Sequence, residues 1–330
     1  MTTAPRTYAA LATLFALSTL AASGCSAAGS ASDAPQDDGG RATADGRPGG
    51  GPDGAADPSA GDEDCSEPVE DRPALSTCVR HVTGRAVDVA GKPLAALVIS
   101  ICGGVCYFSK TAADGSFDAH VGRFIDHARF SVLIHGRPKY ASLFNELPAP
   151  TGDRITLDAA IVVPQYDALG TVLPADGSPA GSATAGAVTV SWPAGTEFEL
   201  DIEDVADKES GRTLKSGRWA DLTKVPAFAT GQNLLSLYAL APFGMKTCTK
   251  RPCASTNLVK LSVTLANETG LPAGTAVELV VLQTDLFSVP NTAGKAKVAA
   301  TGKVSADGKT ITTDAGQGLS TLTWVGVRKK

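Results

Sequence analysis

Alternation of apolar and polar residues is the feature that most limits how this chain can fold. From Cys65 onward it recurs in short runs, and two of the clearest lie at 197–203 and 259–265. Successive side chains of a β-strand point to opposite faces, so each run places its apolar residues on one face of a sheet. Asp-Gly pairs and two Pro-Ala-Gly-Thr segments supply turns. The pattern predicts an all-β fold with only short helices, at 143–147 or 219–224.

A second constraint comes from residues 26–64, which contain no Val, Ile, Leu, Met or aromatic residue. Such a segment cannot bury enough apolar surface to offset the entropy lost on ordering. The segment contains eight Asp and one Glu but only two Arg. Since the whole chain has a net charge of -5, the charges outside this segment nearly balance. We therefore predict a disordered acidic tether over 25–64 ahead of the folded part.

The N-terminal residues have the pattern of an export signal. Arg6 precedes an uncharged, largely apolar stretch at 7–20, which is shorter than the roughly 20 residues of a membrane span. Residues 20–25, Leu-Ala-Ala-Ser-Gly-Cys, resemble the bacterial lipobox. The resemblance implies a signal peptide over 1–24, a lipid on Cys25 and, because Ser26 follows, an outer-membrane location. The alternative is ordinary secretory cleavage followed by a chance cysteine.

Two blocks after the tether carry a further resemblance. Residues 82–88 (Val-Thr-Gly-Arg-Ala-Val-Asp) with 91–94 (Gly-Lys-Pro-Leu), and then 111–117 (Thr-Ala-Ala-Asp-Gly-Ser-Phe), resemble the carboxypeptidase regulatory-like domain. That family has a prealbumin-like, carbohydrate-binding-like fold and carries no catalytic residues. The resemblance implies a prealbumin/Ig-like β-sandwich over 65–166. For 167–330, the alternation predicts a second β-sandwich region, for which no family is named.

Six cysteines remain after Cys25, an even number in a chain predicted to be exported, and this favours disulfides. The candidates are Cys65, Cys78, Cys102, Cys106, Cys248 and Cys253. Two pairs lie four and five residues apart and could each close a short loop, which leaves the first two cysteines for each other. Sequence does not fix the connectivity. A four-cysteine zinc site built from the two short pairs is the alternative.

Acidic residues also alternate, at Glu197, Glu199, Asp201 and Glu203. On one strand face they could bind calcium or serve glycoside hydrolysis, although a solvated strand edge explains them more simply. The histidines are His81, His120, His127 and His135. The last three are seven and eight residues apart, so we expect core or surface positions rather than a metal cluster. No metal site, cofactor or catalytic residue is predicted.

The three tryptophans differ in their surroundings. Trp192 and Trp324 lie within alternating runs and are expected in the core, whereas Trp219 has polar neighbours. An exposed indole can stack on a sugar ring, so Trp219 is predicted to be exposed and is the possible ligand-contact residue.

These observations favour a non-catalytic binding or structural module of the cell envelope. The chain has 29 basic against 34 acidic residues, which argues against a nucleic-acid partner. The lipid would attach it to the membrane, and the partner would be an envelope protein or a polysaccharide. The alternative is a membrane-anchored hydrolase or calcium-dependent module that uses the acidic strand face.

Overall fold

The computed structural model describes residues 64–288 and 290–330, and it is all-β, as predicted. The predicted signal peptide, the lipidated Cys25 and the tether up to residue 63 lie outside the described residues. The strands of the first half are β1 Thr77–Val87, β2 Val98–Cys102, β3 Cys106–Lys110, β4 Ser116–Ile125, β5 Ser131–His135, β6 Leu143–Glu146, β7 Arg154–Thr156 and β8 Ile161–Val162. Those of the second half are β9 Ala168–Val172, β10 Gly181–Ala185, β11 Val188–Trp192, β12 Glu197–Glu199, β13 Thr213–Arg218, β14 Ser236–Ala241, β15 Lys246–Cys248, β16 Ser262–Ala266, β17 Ala276–Leu282, β18 Ala296–Val304, β19 Thr310–Thr313 and β20 Val325–Lys329.

Helices are short in the described part of the chain. The α-helix is α1, Ile202–Ala206, and 3-10 turns occupy Val69–Asp71, His127–Arg129 and Ala227–Ala229. Both predicted helix positions are wrong. Residues 143–146 form β6 because they pair with the buried strand β5, and residues 219–224 form a turn after β13. Among the described residues, none of the helices is long and apolar enough to span a membrane.

The first half is a sandwich of two sheets. One sheet has the order β4-β1-β7, with β8 also pairing β1, and the other has the order β3-β2-β5-β6. Val82 and Phe117 from the first sheet and Ile99 and Ile134 from the second are buried in one core. Gly115 has a φ of 80°, and a Cβ there would lie 2.4 Å from the Ala86 carbonyl oxygen, so this turn requires glycine.

The second half is dominated by one large sheet. Its strand order is β10-β11-β16-β19-β18-β17-β20-β14-β13-β9, and the end strands β9 and β10 pack against each other. The sheet is therefore nearly closed around a core of its own, to which Val190, Val263 and Leu279 contribute. A separate two-stranded sheet pairs β12 with β15.

Residues of the two halves also share the first core. Trp219, Phe228 and Trp324 are buried with the apolar residues of the first sandwich. The Trp324 indole N–H donates to the Ser142 carbonyl oxygen at 2.8 Å. The predicted domains 65–166 and 167–330 thus pack against each other over one continuous hydrophobic core.

The six cysteines form three disulfides. Cys65 bonds Cys78, Cys102 bonds Cys106, and Cys248 bonds Cys253. The disulfide prediction is confirmed. The zinc alternative is wrong, because a sulfur in a disulfide cannot serve as a thiolate ligand.

Candidate ligand-binding cleft

A cleft of about 620 Å³ opens beside the first sandwich, where the loop between β17 and β18 approaches it. Its apolar lining includes Val105, Tyr107, Phe124, Phe130, Leu286 and Phe287. Its charged lining consists of Glu67, Arg123, Asp126 and Arg129. Apolar walls with a few converging polar groups are the usual composition of a ligand site.

The β2–β3 hairpin forms one wall of this cleft. The Cys102–Cys106 disulfide closes the hairpin, and Val105 at its tip is 57% exposed. A Cβ on Gly103 would lie 2.9 Å from the Phe130 ring and 2.7 Å from the Arg129 carbonyl oxygen. The tip can therefore approach Phe130 so closely only because residue 103 is glycine.

Aromatic rings line the cleft at different depths. Tyr107 and Phe130 lie with ring centroids 6.4 Å apart, and both pack against the core. Burial raises the pKa of the Tyr107 hydroxyl above its ordinary value. Phe287, on the β17–β18 loop, is 78% exposed. An exposed phenyl ring at the edge of an aromatic cleft leaves apolar surface available to a partner.

Glu67 places a carboxylate in the lining of the cleft. Its Oε1 accepts a hydrogen bond from Arg123 at 3.1 Å, and its backbone carbonyl accepts one from Arg72 Nε at 2.9 Å. Its other oxygen, Oε2, is buried and has no hydrogen-bond partner within residues 64–288 and 290–330. Leaving a buried acceptor without a partner costs free energy, so a hydrogen bond donated by a ligand would be favourable there.

The acidic segment does not form one strand face, so the geometric premise of the calcium and hydrolase hypotheses is wrong. Strand β12 ends at Glu199, and the Asp201 carboxylate accepts from the Ile202 N–H to cap helix α1. Glu197 and Glu199 accept backbone N–H groups of Arg251 and Cys253, each at 2.8 Å. They therefore fasten β12 to the loop of the Cys248–Cys253 disulfide.

The remaining acids of this segment enter an ion cluster around Arg137, which we name the Arg137 cluster and which comprises His135, Arg137, Asp201, Glu203 and Asp204. Arg137 bonds Glu203, and its ion pairs reach Asp201 at 3.3 Å and Asp204 at 2.9 Å. His135 lies between Glu203 at 2.5 Å and the Ser100 hydroxyl at 2.8 Å. The cluster joins the end of β5 to helix α1 and has the character of a structural clamp.

Burial controls the charges within the Arg137 cluster. It raises the pKa of Asp204 to about 7, because desolvation and the nearby Asp201 and Glu203 outweigh the attraction of Arg137. Burial acts in the same direction on Glu203, but His135 and Arg137 more than offset it and lower the pKa of that carboxyl. Asp204 is thus the carboxyl of the cluster that loses its proton near neutral pH.

The predicted exposure of Trp219 is wrong, since the residue is only 5% exposed. Its ring packs on Trp324, with centroids 5.9 Å apart, and its indole N–H donates to the Asp221 carbonyl oxygen at 2.8 Å. This backbone carbonyl satisfies the indole N–H, so the ring can be buried in the core. Trp192 and Trp324 are buried, as expected.

The structure does not gather His120, His127 and His135, which lie on β4, a 3-10 turn and β5. In the part of the chain that the structure describes, no three His, Cys, Asp or Glu side chains form a group that could hold a metal. It does place His81 directly opposite His120 across strands β1 and β4, with ring centroids 5.5 Å apart. Sequence reasoning missed this pair because strand pairing, not spacing, brings the two residues together.

Comparison of the chain with protein-family models, with curated proteins and with solved structures gives no match. Its function is therefore inferred from the fold and from the cleft.

Proposed function

We propose that this chain is a non-catalytic binding module of a bacterial cell envelope, anchored at the outer membrane through a lipid on Cys25. The aromatic cleft beside the β2–β3 hairpin is its ligand site. The sandwich of residues 77–162 supports the proposed resemblance to the carboxypeptidase regulatory-like domain, whose members are non-catalytic. The observation that carries the proposal is the exposure of Phe287 and Val105 at the rim of a cleft already lined by aromatic rings.

The chemistry of the cleft favours an envelope protein over a polysaccharide. The tryptophan proposed to stack on a sugar is buried, whereas the rim offers exposed phenyl and isopropyl groups. Such groups gain most from contact with an apolar side chain, and aromatic residues are enriched at protein interfaces. Arg123 and Arg129 at the same cleft suit an acidic residue beside that apolar anchor.

A pull-down with two matched phenylalanine variants tests the proposal. Full-length protein in detergent, tagged at its C-terminus, is incubated with solubilised envelope proteins and, separately, with sedimented cell-wall polysaccharide. Phe287→Ala removes the exposed ring at the cleft. Phe108→Ala removes a ring that is 66% exposed on β3 but points to the opposite face from Tyr107, so it is the control.

A specific protein retained by wild type and by Phe108→Ala, but reduced about tenfold by Phe287→Ala, supports the proposal. Retention on polysaccharide alone would make the chain a carbohydrate-binding module instead. Equal retention by both variants would show that the cleft is not the binding site, and turnover of an envelope polymer by pure protein would contradict the non-catalytic assignment.

A further inference from the structure

The outward face of the first sandwich carries two histidines in direct opposition. His81 on β1 and His120 on β4 are Cα partners in an antiparallel ladder, beside a bulge between Val79 and His81. Their side chains are 33% and 49% exposed. Both rings are therefore open to ions in solution.

One ring nitrogen of each imidazole is paired with a carboxylate. Nδ1 of His81 lies 2.7 Å from Asp118, and Nε2 of His120 lies 3.1 Å from both oxygens of Asp64. An ionised carboxylate can only accept a hydrogen bond, so these ring nitrogens carry the protons. The lone pairs then reside on Nε2 of His81 and Nδ1 of His120. A metal-ligating histidine usually donates its other ring N–H to a carboxylate, because this hydrogen bond fixes the tautomer and raises ligand basicity.

The position of Asp64 is fixed by the fold. The adjacent Cys65 donates its N–H to the Gly122 carbonyl oxygen at 2.8 Å and forms the disulfide with Cys78. The start of the described fold thus delivers a carboxylate to the histidine pair.

We propose that His81 and His120 form an exposed binding site for a divalent transition-metal ion, with Cu²⁺ the best-suited ion. Nitrogen ligands lie about 2.0 to 2.1 Å from such ions, and the ring centre lies about 1.1 Å further back. Two imidazoles on one ion, at an angle of about 90 to 120°, therefore have centroids about 4.5 to 5.5 Å apart. The 5.5 Å separation of the two rings falls at the upper end of that range.

The composition of the site limits which ions it suits. Among the described residues only His81 and His120 are available as protein ligands, since Asp64 and Asp118 are paired with the other ring nitrogens, and water can fill the remaining positions. This agrees with the lack of any three-residue metal group in the described residues. Imidazole nitrogens bind Cu²⁺ more strongly than Ni²⁺, Co²⁺ or Zn²⁺. Arg154 lies 3.7 Å from Asp118 and partly offsets its charge, which leaves the imidazoles as the main source of affinity.

The test uses the full-length protein in detergent, purified without a histidine tag, and Cu²⁺ alone as the probe. Calorimetric titration gives the stoichiometry and affinity, and electron paramagnetic resonance reports the nitrogen ligands of the bound ion. The variants are His81→Gln and His120→Gln, with His127→Gln as the control because it lies apart from the pair on a 3-10 turn. Circular dichroism confirms that each variant is folded.

We expect one equivalent of Cu²⁺ with two nitrogen ligands in the spectrum of the wild type and of His127→Gln. Either His81→Gln or His120→Gln should weaken binding about tenfold or more, and Asp64→Asn should weaken it less, because Asp64 only positions a ligand. Equal affinity in the wild type and in the double variant lacking both histidines would overturn the proposal. So would loss of binding in His127→Gln. The outcome is independent of the pull-down with the Phe287 variant.

Discussion

Asp204→Asn should become more stable relative to the wild type as pH rises, although it changes one partner of the largely buried Arg137. The carboxyl is 6% exposed, and its pKa is raised from 3.8 to about 7 mainly by burial. The folded state therefore holds the proton more tightly than the unfolded chain does. The resulting stability is fully present below pH 3.8 and is lost as pH rises through about 7. Asparagine keeps the shape of the protonated carboxyl and cannot ionise.

The size of the effect follows from the pKa interval. Each unit corresponds to about 1.36 kcal/mol, so ionising Asp204 in the folded state costs about 4 kcal/mol relative to the unfolded chain. Between pH 4 and pH 7 the difference in the free energy of unfolding between Asp204→Asn and the wild type should shift in favour of the variant by about 3 kcal/mol. The other titrating groups, Glu203 included, are present in both proteins and largely cancel in this difference.

The assay is urea unfolding of both proteins at several pH values, followed by the fluorescence of the buried Trp219 and Trp324. Glu209→Gln is the control, because Glu209 is exposed in the turn that follows helix α1 and its replacement should change stability by no more than about 0.5 kcal/mol at any pH. If the difference in stability between Asp204→Asn and the wild type does not change between pH 4 and pH 7, then Asp204 is ionised in the folded state across that range and its pairing with Arg137 outweighs its burial. That result would refute the reasoning.

Three further predictions concern stability. Replacing Cys65 and Cys78 together by serine opens a loop with a sequence separation of 13 and should lower the free energy of unfolding by about 3 kcal/mol, measured in urea; an unchanged midpoint would count against it. Trp219→Ala should cost about 3 to 5 kcal/mol while leaving partner retention by the folded protein unchanged, and weakened retention would return Trp219 to the ligand site. Asn291→Ala removes an amide that is 3% exposed and donates to the Ser131 hydroxyl at 2.9 Å. It should lower the melting temperature through a loss of about 1 to 3 kcal/mol, and an unchanged melting temperature would argue against this buried link between the halves.

The local sequence pattern was sufficient to predict the features that have a local physical cause. Alternation predicts strands because the direction of each side chain in extended backbone depends only on its neighbours. It also predicts the burial of Trp192 and Trp324, and the even number of cysteines predicts disulfides. The Asp-Gly turn at Gly115 follows from the left-handed conformation that glycine tolerates.

The same local pattern misleads when a distant group competes with it. Residues 197–203 alternate, yet the strand ends at Glu199 because Asp201 caps a helix whose acids pair with Arg137, more than 60 residues away in sequence. Trp219 has polar neighbours along the chain, yet Trp324 and the first core cover its ring.

The sequence by itself thus determined the all-β class, the disulfide chemistry and the burial of Trp192 and Trp324, because backbone geometry and composition act over a few residues. Only the tertiary structure decided which strands pair, that His81 faces His120, and that Phe287 meets the rings of Tyr107 and Phe130 at one cleft. The physical reason is that strand register and loop closure determine which distant residues come together, and neither leaves a periodic signal in the sequence.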